Sequence, residues 1–107
     1  MADVLTGKSY DVTGSLAAAL TAGGSETITM IGITICNHHT AAVDVEVYID
    51  RTGGGDDGYI VKDFSIPSKD TLDVLAGKVV LNSSDALQIK GSVANVLDAT
   101  LSYLVQT

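Results

Sequence analysis

The chain has 107 residues, of which 46% are hydrophobic, and its 6 basic and 13 acidic side chains give a formal charge of −7. This length and hydrophobic content predict one compact domain and argue against disorder, which combines low hydrophobicity with high net charge. The acidic balance argues against direct nucleic-acid binding, because contact with a phosphate backbone needs a basic surface.

The sequence contains no sign of export, membrane insertion or internal disulfide bonding. No stretch approaches the roughly 18 consecutive apolar residues of a membrane helix, and residues 1–10 lack the basic start and hydrophobic core of a signal peptide. Cys36 is the only cysteine, so it has no partner within the chain. We therefore expect a protein that does not enter membranes and that is stabilised by packing or by neighbouring subunits.

The first quarter of the chain has two interpretations. Residues 15–24 offer an N-cap serine, a run of good helix formers and a terminating glycine pair, which favour a short helix. Alanine also packs closely, so the same segment is equally compatible with an edge strand. Residues 1–14 could form a further strand or an arm. We assign residues 1–25 to an N-terminal arm or edge segment and residues 26–107 to a β-sandwich domain.

The next two segments have the period of β-strands. Residues 43–50 place an aliphatic side chain at every second position, which is typical of a half-buried strand. Residues 27–36 alternate similarly, but the phase breaks at Gly32, with Ile28 and Met30 on one face and Ile31, Ile33 and Ile35 on the other. This break predicts a β-bulge. The short polar stretch between the two strands predicts a hairpin connection, and hence a long antiparallel pair.

A glycine-rich exposed loop follows, and then the strands resume. Flexible and acidic residues make up the loop: Arg51, Thr52, Gly53, Gly54, Gly55, Asp56, Asp57 and Gly58. Predicted strands cover residues 59–66, 71–75, 78–81, 86–90 and 97–105. Short strands separated by turns at intervals of about 8 to 12 residues are typical of antiparallel sandwiches. The fold prediction is therefore all-β, a jelly-roll-like or immunoglobulin-like sandwich, although the lone cysteine and missing tryptophan argue against a true immunoglobulin domain.

Few residues suggest chemistry. Asp50, Asp56 and Asp57 offer oxygen ligands for calcium, but the glycine-aspartate pattern occurs once and with irregular spacing, so a solvated loop is favoured. His38 and His39 are adjacent and point to opposite faces of an extended segment. Cys36 is interpreted as a small buried hydrophobic residue. A Gly-x-Ser-x-Gly motif is absent. We predict neither an enzyme nor a cofactor.

Three segments resemble small virion structural proteins of tailed bacteriophages. The first is residues 28–37 with residues 43–49, an aliphatic strand ending in Asn and a Val-x-Val-x-Val-Tyr strand. The second is residues 64–72, an Ile-Pro step in which Lys69 stands where that group usually has Gly. The third is residues 77–90 with residues 101–104, and together they cover about the last eighty residues. The resemblance implies a non-enzymatic sandwich located in the virion, and in the host cytoplasm during assembly.

The functional hypothesis is a capsid decoration or cement protein. We expect a homo-oligomer that contacts other virion proteins, because symmetric assembly would bury the apolar surplus. The interface prediction is the stripe Leu16, Ala17, Ala18, Ala19 and Leu20, for which ordinary core packing is an equal alternative. A tail or neck component is the alternative within the virion. A carbohydrate- or receptor-binding module that uses the 51–58 loop and the His38–His39 turn is the alternative outside it.

Overall fold

A computed structural model describes residues 3–52, 55–75 and 77–107. These residues form nine strands and no helix. The strands are β1 (Asp3–Asp11), β2 (Ala17–Thr21), β3 (Thr27–Asn37), β4 (Val43–Asp50), β5 (Gly58–Ile66), β6 (Thr71–Asp73), β7 (Val79–Leu81), β8 (Ala86–Gly91) and β9 (Leu97–Gln106).

The strands form two antiparallel sheets packed as a sandwich. The first sheet has the order β1-β9-β3, and β6 and β7 share the other side of β3; the second sheet has the order β2-β8-β4-β5. The chain changes sheet at each connection except β4–β5 and β6–β7. If β6 and β7 are counted as one interrupted edge strand, this is the eight-stranded jelly-roll arrangement. The prediction of an all-β sandwich is confirmed, and the jelly-roll alternative is the one that the topology matches.

The N-terminal quarter of the described chain is strand, so the helical interpretation of residues 15–24 was wrong. β2 pairs with β8, with an irregularity between Ala18 and Leu20. That irregularity turns both Ala19 and Leu20 into the core. β1 is an edge strand of the first sheet and pairs with β9 along its whole length. The segment expected as an arm or edge segment therefore contributes an edge strand to each sheet.

The predicted bulge in β3 is confirmed. The register between β3 and β9 shifts between Met30 and Gly32. Because of the shift, Ile28 and Met30 before it and Ile33 and Ile35 after it all face the core. Ile31, the extra residue, points outward and is 46% exposed. The bulge therefore changes the phase of the strand while keeping both halves of its apolar pattern buried.

The predicted hairpin between β3 and β4 was wrong. β3 pairs with β6, β7 and β9, whereas β4 pairs with β5 and β8 in the other sheet. The connection crosses between the sheets, and the buried Asn37 side chain holds it in place. Its Nδ2 donates to the carbonyls of Ala41 (3.1 Å), Ile66 (2.9 Å) and Pro67 (3.2 Å), and its Oδ1 accepts from the His39 N–H.

The turn after β5 shows why Gly is favoured at the position that Lys69 occupies in this chain. Lys69 has φ of 64°, and the Asp70 N–H donates to the Pro67 carbonyl at 3.1 Å. A positive φ favours Gly, which is the residue that the pattern usually has. The Lys69 ammonium donates to the His38 carbonyl, so the lysine connects this turn to the neighbouring β3–β4 connection.

The sandwich has an upper and a lower end. The β1–β2, β3–β4, β5–β6 and β8–β9 connections lie at the upper end; β2–β3, β4–β5 and β7–β8 lie at the lower end. At the lower end the Arg51 guanidinium donates to the buried Asp85 carboxylate (2.8 Å) and to the Val80 carbonyl (2.7 Å). This contact joins β4 of the second sheet to β7 of the first.

We expect Asn37→Ala to destabilise the protein by on the order of 3 kcal/mol, because it leaves buried carbonyl groups without their donor. Thr40→Ala, an exposed residue of the same connection, is the control and should change the free energy of unfolding little. Urea unfolding of both variants measures the difference. Equal stabilities would contradict a structural role for the Asn37 amide.

Candidate interaction surface

The outer face of the first sheet carries an exposed row of mainly apolar residues near its lower end. Leu5 lies opposite Leu104, Leu104 opposite Thr29, and Thr29 opposite Val80. Leu5 is 72% exposed and Val80 is 41% exposed, whereas Leu104 and Thr29 are half-buried. We call these four residues, together with the outward-pointing Ile31, the apolar row. Several adjacent exposed apolar side chains on one face are characteristic of contact sites, whereas isolated ones are not.

Below the apolar row this outer face carries Asp3, Gln106 and Thr27, and above the row its side chains are short. Gly7, Ser102 and Gly32 form the next row in register, and above it lie Ser9, Thr100, Thr34 and Asp73. The uppermost row consists of Asp11, Asp98, Cys36 and Thr71. Short side chains leave the face flat, so another protein surface can approach it closely.

The outer face of the second sheet is polar, and three of its charged side chains form ion pairs. The Lys62 ammonium lies 2.9 Å from the Glu46 carboxylate and 3.7 Å from that of Asp63. It also lies 4.7 Å from the centre of the Tyr59 ring, and that ring packs edge-on against Tyr48. Cation–π and ion-pair contacts of this kind are ordinary features of a solvent-exposed protein surface.

These contacts shift three pKa values. The hydrogen bond from Lys62 lowers the pKa of Glu46 below its ordinary value, and the same bond raises the pKa of Lys62. The hydrogen bond from the Tyr48 hydroxyl to Asp57 raises the pKa of Tyr48. Each shift favours the protonation state already present at neutral pH. The pattern is therefore one of structural pairing rather than of an acid or base held ready for reaction.

The glycine-rich loop is held by its own side chains where the structure describes it. The Asp57 carboxylate accepts from the Arg51 N–H at 2.7 Å and from the Tyr48 hydroxyl at 2.9 Å. Asp50 accepts from the Thr52 hydroxyl. Gly53 and Gly54 lie outside the described residues. Among those described, no group of three His, Cys, Asp or Glu side chains is placed to hold a metal ion, and this includes the calcium candidates Asp50, Asp56 and Asp57.

The two loops expected as the contact tips of a carbohydrate- or receptor-binding module lie at opposite ends of the sandwich. The 51–58 loop follows β4 at the lower end, whereas His38 and His39 follow β3 at the upper end. The His38 imidazole lies 3.6 Å from the Asp98 carboxylate. A carbohydrate- or receptor-binding module would therefore use the two loops as separate contact sites.

The alanine-rich segment is divided between surface and core. Leu16 and Ala18 are exposed and Ala17 is half-buried, whereas Ala19 and Leu20 pack inside the sandwich. The five residues therefore do not form one exposed stripe, and an interface here could use only the exposed members. Cys36 also differs from its prediction: it is exposed, because the inward phase of Ile33 and Ile35 points the next residue outward.

Sequence reasoning missed the apolar row, although a signal for it was present. Leu104 and Val80 are apolar residues at positions where the alternation of their strands requires an outward side chain. Val4 and Leu5 are likewise consecutive, and they are the only two aliphatic residues of β1. The signal was therefore apolar residues at positions where the alternation of the strand predicts a solvent-facing side chain. An interpretation that considers only the buried face of each strand discards these residues.

Comparisons with known proteins identify the fold. No family model matches the chain, and no curated protein matches it. Among solved structures, the chain is similar to VP2 of infectious bursal disease virus in its subviral particle, with a TM-score of 0.53 and 12% identity. A structure of the Gx strain of the same virus has a TM-score of 0.49 and 10% identity.

The extent of these matches limits what they show. The VP2 match covers 97% of this chain and 32% of that one, and the Gx match covers 96% and 29%. The chain thus spans about a third of the length of the proteins that it matches. At this identity the likeness shows the shared sandwich fold alone. The described residues include no helix that is long and apolar enough to cross a membrane.

The Glu46–Lys62 pair predicts a pH dependence. A carboxyl group whose pKa is lowered by folding stabilises the protein above its ordinary value of 4.5, and this contribution is lost as the pH falls through the lower folded-state pKa. We expect Glu46→Gln to lower the Tm at neutral pH and to make the decline of Tm towards pH ~3 shallower. Asp44→Asn, on the same face of β4, is the control. Parallel Tm profiles for wild type and Glu46→Gln would contradict the assignment.

Proposed function

We propose that this chain is a virion structural protein without catalytic activity, and that the outer face of the first sheet is its contact surface. The observation that carries the proposal is the apolar row, in which Leu5, Ile31 and Val80 are exposed, whereas the outer face of the second sheet is polar and carries the ion pairs of Lys62. The fold supports the same role, because the protein that it resembles, VP2, forms a subviral particle. The resemblance of residues 28–104 to phage virion proteins also points in this direction.

Within the virion, the role that we propose is capsid decoration or cement. A small jelly-roll whose outer face carries the apolar row and otherwise mostly short side chains can lie against a capsid surface in many copies. Repeated contacts of this kind stabilise a shell by avidity even when each single contact is weak. A tail or neck component is the alternative, since the same face could pack between the subunits of a ring. The two roles differ in where the protein is located on the particle, not in the chemistry of the contact.

Immunogold electron microscopy on particles of the virus that encodes the chain tests the location. Label over the whole head is the expected result for a decoration protein, and label at one vertex would indicate the tail or neck role. Particles without label, but with the chain present in the infected cell, would contradict a virion role altogether.

We expect Ile31→Lys to reduce binding to heads that lack the protein by at least about ten-fold, because a charge in the contact surface has to be desolvated. Phe64→Lys, an exposed residue of β5 in the second sheet, introduces the same charge at matched exposure, 47% against 46%, and should bind as wild type does. Cosedimentation with heads gives the affinities, and circular dichroism verifies that both variants fold. Equal loss of binding in the two variants would contradict the assignment to the first sheet.

A further inference from the structure

β1 is the one regular edge strand of the described structure. β2 has one register irregularity and β5 has two, and the edge beside β3 is divided between the two short strands β6 and β7. β1 instead pairs nine consecutive residues with β9 without a shift. Irregular and interrupted edges disfavour the addition of a further strand, whereas a long regular edge presents backbone donors and acceptors to one.

The lower half of β1 is also apolar on both faces. Leu5 points outward from the sandwich, and Val4, on the inward face of the same strand, is 52% exposed at the open edge. Lys8 is the basic residue of β1, and a lysine commonly protects an edge. Here its Nζ donates to the Ala19 carbonyl of β2 at 2.6 Å, so the charge is held within its own subunit.

We propose that two copies of this chain associate through β1, antiparallel about a two-fold axis, with Leu5 opposite Leu5 of the second copy. The pairing joins the first sheets of both subunits into one continuous sheet. It covers residues 3–7 of each copy, with Val4 opposite Thr6 and Asp3 opposite Gly7. This pairing uses only residues of the chain itself and does not depend on the virion role.

Charge and apolar burial select this register from the alternatives. In an antiparallel pair related by a two-fold axis, one residue lies opposite the same residue of the second copy, and this residue is the centre of the register. Registers that pair at least five residues of β1 have their centre at one of residues 5 to 9. Centring on Gly7 sets Asp3 against Asp11 twice, and centring on Lys8 sets two lysines opposite each other; both are unfavourable.

The two remaining alternatives leave the apolar side chains without apolar partners. Centring on Ser9 leaves Val4 and Leu5 outside the pairing, and centring on Thr6 sets Leu5 against Gly7. Centring on Leu5 buries the most exposed of the large apolar side chains that the structure describes against its copy, and it places Asp3 opposite Gly7 rather than opposite another acidic residue. It also makes the apolar row of one subunit continuous with that of the other.

A cysteine scan along β1 reads the register directly. In a Cys36→Ser background, which removes the exposed native thiol, cysteine is placed singly at positions 5, 6, 7, 8 and 9, each of which is self-opposed in one register only. Opposed residues of neighbouring strands have Cβ atoms about 4.5–5.5 Å apart, which is close enough for a disulfide to form with slight adjustment.

The expected result is a covalent dimer from Leu5→Cys under mild oxidation, with little or none from Thr6→Cys, Gly7→Cys, Lys8→Cys or Ser9→Cys. A dimer that forms best at another position overturns the Leu5 register. Absence of a covalent dimer at all five positions overturns the association of two copies through β1. The same result is expected if β1 pairs with a strand of a different protein instead.

Sedimentation equilibrium of the full chain tests the same contact without cross-linking. Leu5→Asp should raise the dimer dissociation constant at least about ten-fold, because it removes two buried leucines and places two carboxylates at the axis. Val93→Asp, an exposed apolar residue of the β8–β9 connection at the upper end, is the matched control and should leave the constant unchanged. A wild-type protein that stays monomeric at high micromolar concentration overturns the proposal, as does an equal effect of the two substitutions.

Discussion

The side-chain amide of Asn37 holds the crossing on which both sheets depend. β3 has strand partners on both of its sides in the first sheet, and β4 has partners on both of its sides in the second. If these two strands formed a hairpin, each would lose one of those partners. The amide prevents this by bonding to backbone carbonyls of the β3–β4 connection and of the β5–β6 turn. A buried amide with several carbonyl partners is both satisfied and rigid, so it fixes the β3–β4 connection against the β5–β6 turn.

Alternation of apolar residues could be read from the sequence, and it correctly predicted the strands from β3 to β9 and the bulge at Gly32. It could not predict which strands pair, because alternation shows which face of a strand is buried but not which neighbour lies beside it. Residues 38–42 are short enough for a hairpin or for a crossing between sheets, and the hydrogen bonds of Asn37 decide between them. For residues 15–24, helix and strand stayed equal because alanine suits both; pairing with β8 and the burial of Ala19 and Leu20 decided in favour of the strand.

The candidate surface was less accessible to sequence reasoning than the fold was. The predicted stripe rested on the idea that alanine and leucine left over from the sheets must face a neighbour, but part of that surplus fills the core beneath β2. The apolar residues that face outward, Leu5, Ile31, Val80 and Leu104, come from four different strands. Their proximity follows from the strand order and register, and they are far apart in the sequence. A surface of this kind becomes visible only when the topology is known.

The apolar row and most of the charged side chains discussed above occupy different parts of the surface. For this reason a formal charge of −7 is compatible with association between copies. The apolar row contains no ionised side chain, and the ion pair of Glu46 and Lys62 lies on the far side of the sandwich. Packed sheets are about 10 Å apart, whereas the Debye length at physiological ionic strength is about 8 Å. Repulsion from the acidic residues of the second sheet is therefore screened at a contact made through the first sheet. On the first sheet's outer face, Asp11, Asp73 and Asp98 lie in the upper rows, whereas Asp3 lies beside Leu5 at the lower end and stands opposite the uncharged Gly7 in the proposed pairing.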